Sequence, residues 1–591
     1  MRDIKKNNLN GSSSPYLRQH ISNPIWWQEW SLEILNDAVL ENKPLFVSVG
    51  YATCHWCHVM AAETFSDKDT ADYLNRHFIC IKVDREQRPD IDQFMMRFLT
   101  AQSGSGGWPL NVFLTPGVNP IFALTYAPAV DNGQMRSFLS IAKKVHDYYK
   151  NNTDEIQPFI ENEGTPQAAE EELIIKKLTS CFDNVNGGFG DGQKFPPHST
   201  LLYILFFLCV ENDADARNIC VKTLDAMRLR GLNDHLQGGI FRYCVDTGWT
   251  IPHFEKMLYD QAMALWCYSI AYKVIGKDEY RSMAEKIIRC LEECFEENGF
   301  FISAYDADTD HLEGATYIWS YEQLEKELRP DEFKKFCGSY EIESFGNYKG
   351  NIHLIRKNDT ILSEIENKLL QIRKNRSQPE RDNKILSGIN ALIAIAMIQA
   401  GRNLGIPYYE EKASRIMHRL MAMFWNGKTL GHSYYNGVTQ KQGFLFDAAA
   451  ILTAVSMLYE NDVTWYALMK AMSEYTASFK EGEKWMESRS EDFQAVYASW
   501  FDNPIPSSVS LAEMGLTRAA LLTGKEIRLQ SYRQPLQADF FNITTMINNG
   551  LFHIITAEKT VPWDKLMPNT IQKRGKVETD CYRGTCVRIN K

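Results

Sequence analysis

The stretch PLFVSVGYATCHWCHVM (44–60) holds an apolar run, a glycine, and then a C-x-x-C pair at the head of a helical segment. The run reads as a buried strand, and the cysteines fall where the chain turns into a helix. Free N–H groups and the macrodipole at a helix start favour an anion. Cys54 is therefore expected to be the more acidic and more exposed thiol and the attacking sulfur. Cys57, one turn on, would resolve the mixed disulfide. His55 and His58 add positive charge nearby, and Trp56 supplies an apolar lid. Zinc binding and an inert buried pair stay open as alternatives. The four Cys and His side chains lie too close together on one helix to wrap an ion, so no metal site is expected.

Outward from this stretch, helical and strand patterns alternate. A helix is expected over 31–42, a strand over 78–83, helices over 67–77 and 91–100, and two short strands in WPLNVFLT (108–115) and IFALTY (121–126). This is an α/β pattern, assigned to residues 1–160. Pro109 stands at the first residue of a strand some fifty residues after the cysteines. In a thioredoxin-like domain a cis-proline there lies against the cysteines and leaves backbone groups free for an extended thiol-bearing chain, so Trp108–Pro109 is expected to be cis. A polar stretch follows, and the linker is placed at 161–169.

Residues 170–591 read differently, as long amphipathic helices interrupted by Gly-aromatic turns: NGGFG (186–190), QGGIF (237–241), NGFF (298–301), GHSYYNG (431–437) and NGLF (549–552). The spacing, near fifty residues or a small multiple, is that of helical hairpins that stack or close, with the glycine loops gathered at one end. Directly after one such loop, RYCVDTGWTIPHFEKMLYDQA (242–262) carries Arg242, Trp249, His253, Glu255 and Asp260. Carboxylates beside a histidine and an indole suit a pyranose: the acids exchange protons and the indole stacks on the sugar. Asp306 and Asp308 follow the next glycine turn and are expected opposite the first group. In the plainer alternative, Asp260 and Asp306 cap helices and Glu255 and Lys256 form a solvated pair.

Composition narrows the classes. A chain of 591 residues, 44% hydrophobic and 23% charged, is globular and holds two to four domains. A net charge of −10 leaves no footprint for nucleic acid. The longest apolar run, 201–210, is about half a bilayer span, and residues 1–14 lack a secretory pattern, so no membrane is expected and the protein is expected in the cytoplasm. Most of the thirteen cysteines sit in apolar runs as small hydrophobes. Cys581 and Cys586, in TDCYRGTCVR (579–588), are expected as thiols, with an exchangeable pair or a structural staple as alternatives.

SPYLRQH (14–20), NPIWWQEW (23–30), GYATCHWCHVM (50–60), IKVDREQRPD (81–90) and SGSGGWPLNVFLTP (103–116) together resemble the thioredoxin-like domain of the DUF255 family. GGFGDGQKFP (187–196), the segment 238–262 and SAYDADTDHLEGATYIWS (303–320) resemble that family's second domain, a toroid similar to six-hairpin glycosidases and N-acylglucosamine 2-epimerases. The resemblance implies an α/β thioredoxin-like N-terminal domain joined to an all-α (α/α)6 toroid. Later repeats depart from the family pattern at Ile389, Phe446, Ala448, Ser508 and Val509, which moves the expectation from sugar turnover toward thiol chemistry or binding.

The expected catalytic groups are then Cys54, Cys57, His253, Glu255, Asp260 and Asp306, with substrate contacts from Trp56, Trp108, Pro109, Arg242, Trp249 and Asp308. Expected partners are a protein thiol client and a monosaccharide-sized ligand in the toroid's mouth, with no cofactor. A sugar epimerase, isomerase or hydrolase regulated by the thioredoxin-like domain, and a non-enzymatic chaperone-like protein, are the alternatives.

Overall fold

The computed structural model describes residues 3–160, 171–502, 504–524, 551–582 and 585–588. The 161–169 linker lies outside the described residues. Strands β1 (Gln28–Glu29), β2 (Leu45–Gly50), β3 (Ile79–Asp84), β4 (Leu110–Leu114) and β5 (Pro120–Leu124) form one sheet in the order β1-β3-β2-β4-β5. β1 and β2 run parallel to β3, β4 runs antiparallel to β2, and β5 antiparallel to β4. Helices α1 (Pro15–Gln19), α2 (Leu32–Glu41), α3 (His55–Ala62), α4 (Lys68–His77), α5 (Pro89–Ser103) and α6 (Phe138–Asn152) cover it.

Every residue of β2 and β3 is buried, because helices cover both faces. Alternation divides the side chains between two cores. Leu45, Val47 and Val49 pack with Ile34 and Phe94 of α2 and α5, whereas Phe46 and Cys80 pack with Met60 and Phe138 of α3 and α6. Ser48 and Lys82, in register on β2 and β3, share the period of Phe46 and Cys80 and so lie on the α3 side. This is the thioredoxin-like domain, and the Trp108–Pro109 bond is cis as expected.

Thirteen helices follow among the described residues: α7 (Glu171–Cys181), α8 (His198–Leu208), α9 (Ala214–Leu229), α10 (Leu258–Ile275), α11 (Asp278–Cys290), α12 (Tyr321–Glu327), α13 (Pro330–Ser339), α14 (Ser363–Lys374), α15 (Ser387–Leu404), α16 (Pro407–Phe424), α17 (Leu445–Asn461), α18 (Tyr466–Ala477) and α19 (Ser508–Thr523). Apolar on nearly every side, α8, α10, α15, α17 and α19 pack in that succession around one core. Around them α9, α11, α16 and α18 bury one stripe against α8, α10, α15 and α17 and leave the other face in water. These are the two layers of the helical toroid.

At one end of the toroid, Lys256–Met257, Ala304–Tyr305 and Arg381–Asp382 pair into a small three-stranded sheet. It aligns loops from three separate hairpins, so residues far apart in sequence emerge side by side. The last segment departs from the all-helical expectation for 170–591. Strands His553–Ala557, Thr570–Arg574, Thr579–Tyr582 and Thr585–Arg588 form a four-stranded sheet. Its apolar side chains Ile555 and Ile571 are buried, which a period-two pattern achieves and a helix there would not. Cys581 and Cys586 face each other across its last hairpin and form a disulfide, not the pair of thiols expected.

Candidate functional site

Cys54 is the N-cap of α3 and is disulfide-bonded to Cys57, whose backbone N–H donates to Cys54 Sγ at 3.2 Å. That places a sulfur among the free N–H groups of the helix start, as the motif predicts. The order of exposure is the expected one, but both cysteines are closed off: Cys54 is 3% and Cys57 1% accessible, so neither faces open water. The cause is the toroid. The loop and first helical turn from Tyr51 to His58 are seated against the loops that the small three-stranded sheet brings together.

The contacts are specific. His55 Nδ1 lies 2.7 Å from Asp308 Oδ1, and His58 Nε2 lies 2.9 Å from Asp306 Oδ2. Asp306 Oδ1 also accepts the Asp308 N–H at 2.9 Å, which holds the two carboxylates as a unit. Tyr51 donates its hydroxyl hydrogen to Glu255 at 2.9 Å and touches Arg242, which pairs with Glu255 at 2.9 Å. His253 lies between Glu255 at 3.3 Å and Glu313 at 2.6 Å, and Tyr348 donates to the far oxygen of Glu313.

Electrostatics follow from this pairing. Burial alone would lower the His58 pKa, but the hydrogen bond and charge of Asp306, with Asp308 and Glu255 behind it, raise it above its ordinary value. His253 is likewise raised by Glu313 and Glu255 against its burial. Asp260, enclosed at the start of α10, is pushed well up by desolvation despite the charge of Arg242.

Arg242, His253, Glu255, Asp306 and Asp308 thus converge as expected, but on the thioredoxin-like domain. The open mouth expected around them is filled by the Tyr51–His58 segment, because buried polar groups need partners and that segment supplies them. Trp249 does not reach this place: it is fully buried in the toroid core, with its indole N–H directed at the Gly187 carbonyl. Trp56 is 47% exposed and lies against Tyr126 and the His55 ring, with no ring contact or hydrogen bond to the toroid among the described residues. Trp108 donates to Asp92 at 2.7 Å and lies under the Arg85 guanidinium; Pro109 is buried beside it. Tyr51 was not singled out from sequence, since its partner Glu255 is 204 residues away and no local pattern marks it.

A second cluster ties the domains together. Fully buried Lys384 reaches Asp84 at 2.6 Å, Glu86 at 2.9 Å and Asp382 at 3.0 Å. Desolvation and the two neighbouring carboxylates lift Asp382 to about 7 in spite of Lys384. Between the two clusters the seam opens into a cavity of about 290 Å³ walled by Arg18, Ala52, Thr53, Asp306, Glu380 and Asp382. Among the described residues no group of three or more His, Cys, Asp or Glu is arranged to hold a metal ion, and no helix is long and apolar enough to cross a membrane.

A family model described as "Protein of unknown function, DUF255" (Thioredox_DsbH) matches residues 6–163. An uncharacterized protein of Caenorhabditis elegans is 31% identical over 93% of this chain and 84% of its own length. Spermatogenesis-associated protein 20 of Mus musculus is 31% identical over 77% of this chain and 67% of its own length. Among solved structures, cellobiose 2-epimerase from Spirochaeta thermophila aligns with 60% of this chain and 77% of its own at 14% identity and a TM-score of 0.41. A DsbH oxidoreductase aligns with 25% of this chain and 90% of its own at 18% identity and a TM-score of 0.17.

Proposed function

The chain belongs to the DUF255 family that includes spermatogenesis-associated protein 20, and we propose that it is a thiol–disulfide exchange protein whose redox pair works inside the seam between its two domains. One observation carries this reading: Cys54 caps α3 with its sulfur on the Cys57 N–H, while both histidines of the same motif are tied to toroid carboxylates.

In the exchange, a client thiolate attacks Cys54 Sγ. A client–Cys54 disulfide forms, the Cys54–Cys57 bond breaks, and Cys57 leaves with the electron pair. A second client thiol then attacks the mixed disulfide and releases Cys54, so the client is oxidised by two electrons and the pair reduced. The α3 N-terminus favours Cys54 as the leaving thiolate. Since both sulfurs are covered, a protein client requires the His55–Asp308 and His58–Asp306 contacts to open.

Equilibration in thiol–disulfide buffers from about −320 to −120 mV, followed by alkylation and mass analysis, tests this. One two-electron transition assigned to Cys54 and Cys57 is expected, and Cys57→Ser should trap a mixed disulfide on Cys54. A pair that stays oxidised, or stays unlabelled, across the whole range overturns the proposal.

A second reading, binding of a monosaccharide-sized ligand, is favoured by the seam cavity with Asp306, Glu380 and Asp382 on its wall. Turnover is not part of it, because Glu255 and His253 already hold Tyr51, Arg242 and Glu313. Calorimetry with hexoses, amino sugars and uronates should show heat that Asp306→Ala abolishes; no heat with any of them removes this reading.

A further inference from the structure

The seam cavity lies where both domains meet the loop that leads into the cysteines. Arg18 and Gln19 of α1 form one wall, Ala52 and Thr53 just before Cys54 a second, and carboxylates of the toroid the rest. The Trp108–Pro109 turn is not part of its lining. Local hydrogen bonds fix these parts. Gln19 donates its side-chain amide to the Ala52 carbonyl at 3.0 Å, which ties α1 to the loop before the motif. The Asp306 N–H donates to the Glu380 carbonyl at 2.9 Å, and Ala304 pairs with Asp382 in the small three-stranded sheet, so Asp306, Glu380 and Asp382 stand side by side. Asp306 and Asp382 are buried, whereas Glu380 is exposed.

Two charges of opposite sign stay open on this wall. Among the described residues neither the Arg18 guanidinium nor the Glu380 carboxylate makes a hydrogen bond or an ion pair, with each other or with anything else. The other charges are taken: Arg381 by Glu297 at 2.6 Å, Asp306 by His58 at 2.9 Å and Asp382 by Lys384 at 3.0 Å. A neutral sugar, the ligand of the second reading above, neutralises neither open charge. A molecule that carries a carboxylate and an ammonium meets both.

Access to the disulfide favours a small molecule as well. Both sulfurs are covered, and a protein client has first to part the His55–Asp308 and His58–Asp306 contacts. The cavity, about 290 Å³, already opens one residue from Cys54. That volume stands at the lower end of small-molecule sites, about 300–1,000 Å³, and suits an amino acid or a short peptide.

We propose that the seam cavity receives a low-molecular-weight thiol with an amino-acid head, its carboxylate on Arg18 and its ammonium on Glu380 between Asp306 and Asp382, and presents that thiol to Cys54; the inference rests on the redox reading above and names its substrate class. The ligand thiolate attacks Cys54 Sγ, a ligand–Cys54 disulfide forms, and Cys57 leaves with the electron pair of the broken bond. A second ligand thiolate attacks the ligand sulfur of that mixed disulfide and releases Cys54 as thiolate. Two ligand thiols are thereby oxidised to their disulfide, the cysteine pair gains two electrons, and the two protons lost by the ligand thiols balance the two that the reduced cysteines gain.

The test starts from the oxidised full-length chain and follows reduction of Cys54 and Cys57 by alkylation and mass analysis. Glutathione is the zwitterionic probe and 2-mercaptoethanol the neutral one, with rates compared per thiolate so that differing thiol acidity drops out. The glutathione rate is expected to saturate with concentration and to exceed that of 2-mercaptoethanol by about tenfold. Arg18→Ala and Glu380→Gln should each reduce this preference about threefold, the scale of an exposed ion pair, and together abolish it; Arg18→Lys should keep most of it. Both side chains are exposed, so the variants are expected to melt with the wild type. A change that only loosened the seam would speed both thiols alike and leave the preference where it was. Equal rates per thiolate in the wild type, or a preference that neither Arg18→Ala nor Glu380→Gln reduces, overturns this inference and leaves the redox reading standing. A disulfide that neither thiol reduces overturns both.

Discussion

Replacing Asp306 by asparagine keeps the shape of the side chain and removes the charge that His58 meets at 2.9 Å. Asp306 is nearly enclosed and His58 about a quarter exposed, so the contact is a charge-assisted hydrogen bond only partly screened by water. Such bonds contribute about 1.5–3 kcal/mol, and the exposure of His58 places this one in the lower half, about 1.5–2 kcal/mol. At 1.36 kcal/mol per factor of ten, the equilibrium between seated and open seam should shift roughly 10- to 30-fold toward open in Asp306→Asn. Hydrogen exchange of the α3 segment and of residues 306–313, normalised for intrinsic rates, reads this directly. The pH dependence has a definite sign. His58 has a raised pKa when seated, so its contribution is fully present below the free histidine value of about 6.5 and fades as pH rises through the seated value. The variant should therefore differ most from wild type near pH 6 and least near pH 9. Equal exchange at pH 6, or a difference that grows with pH, would refute the view that this pair helps seal the redox centre.

Lys384→Met should lower stability by about 3–5 kcal/mol in urea unfolding, because Asp84, Glu86 and Asp382 would be left buried without their cation; Asp382→Asn should cost much less, since Lys384 keeps Asp84 and Glu86 and the substitution relieves the desolvation and like-charge repulsion that raise the Asp382 pKa. Desolvation lifts Glu487 to about 7, so the folded state holds a proton that the unfolded chain releases between about pH 4 and 7 and stability falls across that window. Glu487→Gln should accordingly raise the melting temperature at pH 8 and leave it nearly unchanged at pH 4. Gly50→Ala should destabilise by about 1–3 kcal/mol, because the new methyl overlaps Tyr16 Oη and Cys57 Sγ, and wild-type melting in that variant would show that the two atoms are less closely set.

What the amino-acid sequence determined alone was local. The apolar run 45–49, the C-x-x-C after it and Pro109 at a strand start define a thioredoxin-like domain because strand period, helix start and turn chemistry are written within a few residues of one another. The hairpin pattern beyond residue 170 is legible for the same reason, while the closing sheet over 553–588 is not, since four short strands carry a weaker periodic signal than a long helix. Tertiary structure decided what the site is. Arg242, His253, Glu255, Asp306 and Asp308 look from sequence like the lining of an open mouth, and the acids do converge. Their partners, Tyr51, His55 and His58, lie some 190 to 250 residues away in the other domain. Trp249, which looked like a stacking platform, is core. Which buried polar group meets which is set by the docking of two separately folded surfaces. That docking depends on the sum of many contacts and leaves no periodic trace in either partner's own sequence.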